Sequence, residues 1–200
     1  MYCISGVDSI DRRINVRASA AKLGWNFEFF PAVFPPANHE EFDAFRACLK
    51  FEFNKNLIKG EVGVALSHLL LWERLAKSEM DFFVVFEDDA RFVKPPSELK
   101  LLMNVDYQMI NRHSNPHKDS ICIGPNSSGL YGYVVFRSGA QKFLKTHKEI
   151  DAPIDIMILR DSLLFGGQLR VAVTETIVEH DDEIKSEIGN ARIVFSGRSK

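Results

Sequence analysis

The stretch from Asp81 to Phe92, DFFVVFEDDARF, decides the fold. Five consecutive apolar or aromatic residues, Phe82 to Phe86, describe a strand buried on both faces. Three carboxylates follow without a gap, Glu87, Asp88 and Asp89, and they repel one another unless something positive stands among them. An acidic group at the end of a buried strand falls where open α/β sheets bind ligands, outside the carboxyl ends of their strands.

The flanking sequence extends this reading. Tyr2 to Ser5 is a short first strand. Gly6 follows, then Asp8 or Ser9 as the N-cap of a helix carrying Ile10, Ile14, Ala18 and Ala21 on one side and ended by Gly24. WNFEFF, from Trp25 to Phe30, alternates as a second strand, so the chain opens β-α-β and favours a parallel sheet. Asn38 with Glu41 forms a capping box before Phe42, Phe45 and Leu49 at helical spacing, which makes residues 34–59 an inserted helix or lid. EVGVALSHLLLWERLAK, from Glu61 to Lys77, is a helix apolar on two sides and therefore mostly buried. Val62, Ala65, Leu66, Leu69 and Ala76 form one side, with Val64, Leu71 and Leu75 on the other.

After the acidic strand, Pro95 and Pro96 break the chain and Ser97 can cap a helix. Asp119 to Gly124 and Tyr131 to Arg137 read as strands, and Ser138 with Gln141 caps a short helix through Leu144. Ile154 to Phe165 reads as a further helix and QLRVAV as the last strand, with a polar segment beyond Thr174. No internal repeat divides the chain, so residues 1–200 are read as one domain.

Composition narrows the class. Two hundred residues, 46% hydrophobic and 26% charged, can bury one good-sized core. A formal net charge of -2 gives no basic field of the kind nonspecific nucleic-acid binding requires, which argues against nucleic acid as a partner. Cys3, Cys48 and Cys122 are odd in number and sit among apolar neighbours, as small core residues of a reducing compartment would. With no leader-like N-terminus and no run of about 18 apolar residues, the expectation is a cytoplasmic protein.

Grouped hard oxygens suit Mg²⁺ or Mn²⁺, which take one or two protein carboxylates and fill their remaining positions with water and phosphate. The competing reading of Glu87–Asp88–Asp89 is a solvated acidic turn. The wider pattern favours the first. GEVGVALSHLLLWERL followed by FVVFEDDARF resembles the signature of glycosyltransferase family 25, the lipopolysaccharide-type galactosyl and related sugar transferases. The matching residues are Gly60, Glu61, Gly63, Ser67, His68, Glu87, Asp88 and Asp89. YCISGVDSIDRRINVRASAAKLG, FEFFPAV, GLYGYVVFRSGAQKFL and PID (Pro153 to Asp155) are similar to further family segments. Residues 34–59 and the tail match least, and Val64 stands where a cysteine is usual.

The resemblance implies a GT-A fold, a Rossmann-like, nucleotide-sugar-binding mixed sheet flanked by helices. It implies Mn²⁺ or Mg²⁺ held on the donor diphosphate by Asp89 with Glu87, and Asp88 or Glu87 on the donor's hydroxyls. His68 then shapes the donor pocket. Arg12 and Arg13 follow the first strand and can reach a diphosphate, with Arg13 taken as the donor contact. Without the resemblance, His68 is a hydrogen-bonded core histidine, and Arg12 and Arg13 form a solvated basic face. An inverting outcome calls for a carboxylate to take the acceptor's proton, and Asp155 is the first candidate, Asp161 the second. Many enzymes of the GT-A fold use a late histidine as a metal ligand, which raises His180 as a further candidate, although the family's pattern is not seen at that position. Read by itself, Asp155 is a helix N-terminal residue, Asp161 a helix-surface charge and His180 an exposed side chain in an acidic loop.

The expected activity is transfer of a hexose, galactose from UDP-galactose first, to a saccharide of a bacterial surface glycolipid. A lipid-linked acceptor would bring the chain to the inner membrane as a peripheral protein. Two other classes compete: a metal-dependent nucleotidyl- or phosphoryl-transfer enzyme, for which a phosphate-cradling glycine loop is lacking, and a non-catalytic nucleotide-sugar-binding relative.

Overall fold

The computed structural model describes residues 1–112, 129–162, 166–181 and 184. A seven-stranded mixed sheet is built from β1 (Tyr2–Ser5), β2 (Glu28–Pro31), β4 (Phe82–Glu87), β5 (Ala90–Phe92), β6 (Tyr107–Arg112), β7 (Gly132–Phe136) and β9 (Val171–His180), in the order β2-β1-β4-β7-β6-β9-β5. Two short strands, β3 (Glu52–Phe53) and β8 (Glu149–Ile150), pair in a separate ribbon. Strands β1, β2 and β4 are mutually parallel, as the β-α-β opening predicts, while β7 and β5 run against their neighbours.

Both faces of the sheet are covered. Helix α1 (Ile10–Lys22) packs Val16 and Ala20 against Cys3, Val84 and Phe86 on one face. On the other, α3 (Lys59–Ala76), α4 (Arg137–Thr146) and α5 (Ile154–Arg160) cover Ile4, Phe83 and Val85. Alternate residues of β4 thus enter opposite cores, which is why its sequence is apolar without interruption. Phe42 of α2 (His39–Ala47), with Phe51, Phe53 and Leu57, joins the α3-side core, so residues 34–59 pack on the same core as the sheet.

A buried carboxylate clamps the α4 side. Asp106 is fully buried and accepts from Ser138 Oγ, Lys142 Nζ at 2.7 Å, and the backbone and guanidinium of Arg170. Burial works to raise its pKa, but the bonds from Arg170 and Lys142 outweigh that and hold it at about 2.

Several expectations are corrected. Ile10, Ile14, Ala18 and Ala21 of α1 face solvent, because polar anchors set the roll of the helix: Arg12 bonds Asp88, and Ser19 Oγ accepts from the Phe92 amide. Ser97 caps no α-helix, and Pro96–Glu98 form only one 3-10 turn. Helix α4 begins at Arg137, with Ser138 turned to Asp106 instead of capping. The helix expected from Ile154 to Phe165 ends at Arg160, because Asp161 caps it and Ser162 turns into a bridge with Leu169; the strand expected at 119–124 and Cys122 lie outside the described residues. Cys48 is exposed beyond α2. Strand β9 continues past Thr174 to His180, with Val173 and Glu175 exposed and Ile177 and Val178 buried.

Candidate active site

Strands β1, β2 and β4 end on one edge, since Ile4 pairs with Glu87 and Ser5 with Pro31. Strand β1 is flanked by β2 on one side and β4 on the other, with α1 and α3 on opposite faces, so this edge is a topological switch point. A cleft of about 690 Å³, counting its open mouth, lies there, lined by Glu87, Asp88 and Asp89, by Arg12, by the loop after β2, and by one face of α3.

The helix motif builds the wall. Gly60 lines the cleft, and the Glu61 carboxylate accepts from the Ile58 amide at 3.1 Å, closing the helix start. A Cβ on Gly63 would stand 2.5 Å from the Val33 carbonyl oxygen, so glycine lets the helix seat against the loop. Ser67 Oγ accepts from the Val33 amide at 2.8 Å and donates to the Gly63 carbonyl at 2.7 Å. One turn of α3 therefore fixes the backbone that carries Phe34, 60% exposed at the cleft.

His68 is buried and bridges core and cleft. Its Nε2 lies 3.0 Å from Glu87 Oε1, and its Nδ1 lies 2.7 Å from the Tyr133 hydroxyl, which accepts from Trp72 Nε1 at 2.9 Å. Burial raises the Glu87 carboxyl above the ordinary carboxylate range; the His68 bond opposes this, while the charges of Asp89 and Asp155 add to it.

The positive group among the carboxylates is Arg12. Its guanidinium bonds Asp88 Oδ1, with Nε at 2.7 Å, and reaches Asp89 Oδ2 at 3.4 Å. His180 ends β9 with Nε2 3.7 Å from Asp89 Oδ2, and the Asp181 amide donates to the Asp89 carbonyl at 2.8 Å. It stands beside the acidic motif and not in a solvent loop.

Of the residues predicted from sequence, Glu87, Asp88, Asp89 and His68 converge on the cleft. Arg13 does not line it: its guanidinium bonds Ser5 and lies 4.6 Å over the Phe29 ring. Asp155 is buried in the first turn of α5, outside the cleft lining but near enough for its charge to act on Glu87. Asp161 is no surface charge; it follows α5, 21% exposed, 3.7 Å from His147 Nε2. Arg12 is one of two neighbouring basic residues in the sequence, and no motif assigns a role to Tyr133 or Trp72. The signal for Arg12 was the mutual repulsion of the carboxylates. For Tyr133 and Trp72 it was only that Tyr and Trp carry polar atoms that need partners in a core.

Among the described residues, no three His, Cys, Asp or Glu side chains are close enough to cage a metal ion. Mg²⁺ and Mn²⁺ do not need such a cage. Asp89 Oδ1 is buried without a hydrogen-bond partner, and this donor atom fits a cation completed by phosphate and water.

The fold is that of a glycosyltransferase. A solved glycosyltransferase involved in glycosylation of the major capsid of PBCV-1 superposes with a TM-score of 0.50 over 92% of this chain and 93% of that one, at 11% identity. The family model described as glycosyltransferase family 25 (LPS biosynthesis protein) matches residues 1–119, and the chain belongs to that family. A Haemophilus influenzae protein named "Putative glycosyltransferase" is 26% identical over 224 residues, spanning all of this chain and 78% of the relative. Human procollagen galactosyltransferase 2 is 29% identical over 109 residues, 46% of this chain and 17% of that protein. Among the described residues no helix is long and apolar enough to cross a membrane.

Proposed function

We propose that this chain transfers a hexose, galactose from UDP-galactose first, to a saccharide of a bacterial surface glycolipid, with inversion at the anomeric carbon. The observation that carries the reading is the convergence of Glu87, Asp88 and Asp89 with Arg12 and the α3 motif on one cleft at the switch point of the sheet. The name of the human relative supports galactose, and the lipopolysaccharide description of the family supports the acceptor.

Asp89, with Glu87, would hold Mn²⁺ or Mg²⁺, which when bound offsets negative charge on the departing diphosphate. Arg12 holds Asp88 against α1 and brings positive charge to the same end of the cleft. The N-terminal turn of α3, at Gly60, adds the positive end of a helix dipole. Glu87, with Oε1 engaged by His68, has Oε2 for a donor hydroxyl. Asp155, buried at the start of α5 outside the cleft lining and close enough for its charge to act on Glu87, is the candidate base for the acceptor's proton. With the acceptor on lipid, the chain works as a peripheral protein at the cytoplasmic membrane face.

The test is UDP release from a panel of UDP-sugars, with and without Mn²⁺. Release from UDP-galactose that needs Mn²⁺ and disappears in Asp89→Ala is expected. Nucleotide-sugar binding without turnover on any acceptor would point instead to a non-catalytic relative, and no response to any uridine nucleotide would sink the reading.

A further inference from the structure

A line of four side chains runs from the core to the cleft: Trp72, Tyr133, His68 and Glu87. Trp72 and Tyr133 are fully buried and His68 is 1% exposed, yet each has its polar atoms paired. Polar groups this deep are costly unless satisfied, so the direction of every hydrogen bond in the line is constrained.

The directions follow from donor and acceptor inventories. Trp72 Nε1 can only donate, so the Tyr133 oxygen accepts from it. If His68 Nδ1 also donated to that oxygen, the Tyr133 proton would have no acceptor among the described residues. The hydroxyl therefore donates to Nδ1, across 2.7 Å. A neutral imidazole that accepts at Nδ1 carries its proton on Nε2, and that proton points at Glu87 Oε1 across 3.0 Å. The ring is buried and bonded at both nitrogens, with Tyr133 and Trp72 as ring neighbours at centroid distances of 5.6 and 6.1 Å.

We propose that Tyr133 and Trp72 are positioning residues for the transfer reaction: they hold His68 in the Nε2–H tautomer, which fixes Glu87 Oε1 and leaves Oε2 directed to the donor. The proposal rests on the glycosyltransferase reading for its catalytic consequence, but the tautomer is a property of the chain alone. Tyr133 and Trp72 touch no reacting atom. They orient, through His68, the carboxylate that meets the ligand, and loss of such an orienting bond typically costs about tenfold to a hundredfold in activity.

Nitrogen-15 shifts of the His68 ring, assigned among the six histidines by difference from His68→Gln, test the first half. A protonated Nε2 with an unprotonated Nδ1 is expected in the wild-type chain, with Tyr133→Phe eroding that signature. A protonated Nδ1, alone or with Nε2, in the wild type overturns the proposal. Kinetics of Mn²⁺-dependent UDP release test the second half. Tyr133→Phe is expected to lower kcat about tenfold or more with the donor KM nearly unchanged. His68→Gln, whose amide can still donate to Glu87, is expected to keep more of kcat than His68→Leu. An unchanged kcat in Tyr133→Phe, or equal losses in the two His68 variants, overturns the positioning role. If Tyr133→Phe does not fold, the wild-type spectrum and the His68 pair decide. A wild-type chain inert toward every nucleotide sugar, yet showing the Nε2–H tautomer, would remove the transferase reading and still support the positioning of Glu87.

Discussion

The Ser67 hydroxyl and the Val33 amide, 2.8 Å apart, join helix α3 to the wall of the cleft. Because His68 is the next residue along the helix, the contact couples the loop after β2 to the carboxylate at the end of β4. Glycine, glutamate, glycine, serine and histidine, spaced along the start of α3, thus act together to place a helix against a loop and a strand end.

Breaking this contact is expected to cost stability before it costs chemistry. Ser67→Ala leaves the Val33 amide without its partner, worth about 1–3 kcal/mol. Gly63→Ala forces a Cβ to within 2.5 Å of backbone oxygen and is expected to cost a similar amount, about 1–3 kcal/mol, through overpacking. The double variant should lose less than the sum, since both changes loosen one interface. Urea unfolding of the three variants checks this, and strict additivity would show that the two residues act separately.

The Asp106 clamp sets part of the acid limit of the fold. Its carboxyl is held at about 2 against an ordinary 3.8. A depressed folded-state pKa gives stability that is present above the unfolded value and lost as pH falls through the folded one. The window is therefore about pH 4 down to pH 2, and the shift corresponds to roughly 2 kcal/mol. Asp106→Asn is expected to lose that amount at neutral pH and to show a correspondingly shallower decline below pH 4. Denaturant midpoints across that range check it; parallel curves for variant and wild type would place the acid sensitivity elsewhere.

The central strand and α3 were legible because their patterns have one physical cause each: burial on both faces for Phe82–Phe86, and burial around most of the circumference for Glu61–Lys77. The roll of α1 was not. Its apolar stripe, Ile10, Ile14, Ala18 and Ala21, competes with polar anchors at Arg12 and Ser19 whose partners lie 76 and 73 residues away. No local rule weighs such distant bonds. The end of strand β9 is hidden for a related reason, since TETIVEH reads as polar until β5 and β6 are seen to pair along it. In the site, the acidic residues and the histidine were visible as a motif, whereas Tyr133 and Trp72 looked like ordinary core aromatics.

Removing Arg12 is expected to move cation and nucleotide affinity in opposite directions. Arg12→Gln takes a positive charge from between Asp88 and Asp89, so the remaining carboxylates attract a cation more strongly, by about threefold to tenfold. UDP, an anion, loses a positive neighbour and binds more weakly by a similar factor. Mn²⁺ titration followed by electron spin resonance and UDP titration by calorimetry read the two separately. A parallel loss of both would mean that Arg12 holds the fold of the site more than its field.

Glu87 is expected to trade stability for function. Its folded-state pKa is raised, chiefly by burial and further by Asp89 and Asp155, with only partial relief from His68. A raised pKa gives stability that is complete below the unfolded value, ordinarily 4.5, and is lost as pH rises through the folded one. Ionising this side chain is therefore a net cost to the fold. Glu87→Gln keeps an oxygen for the His68 Nε2 proton and removes the charge, so in the presence of a chelator it should melt above the wild type at pH 7. Each kcal/mol gained would read as about 2–4 °C in Tm, and the difference should close as pH falls below 4.5. Donor turnover should fall sharply in the same variant. Melting curves from pH 4 to 8 decide the matter: a variant less stable than wild type at pH 7 would falsify the claim that the surroundings of this carboxylate oppose its ionisation.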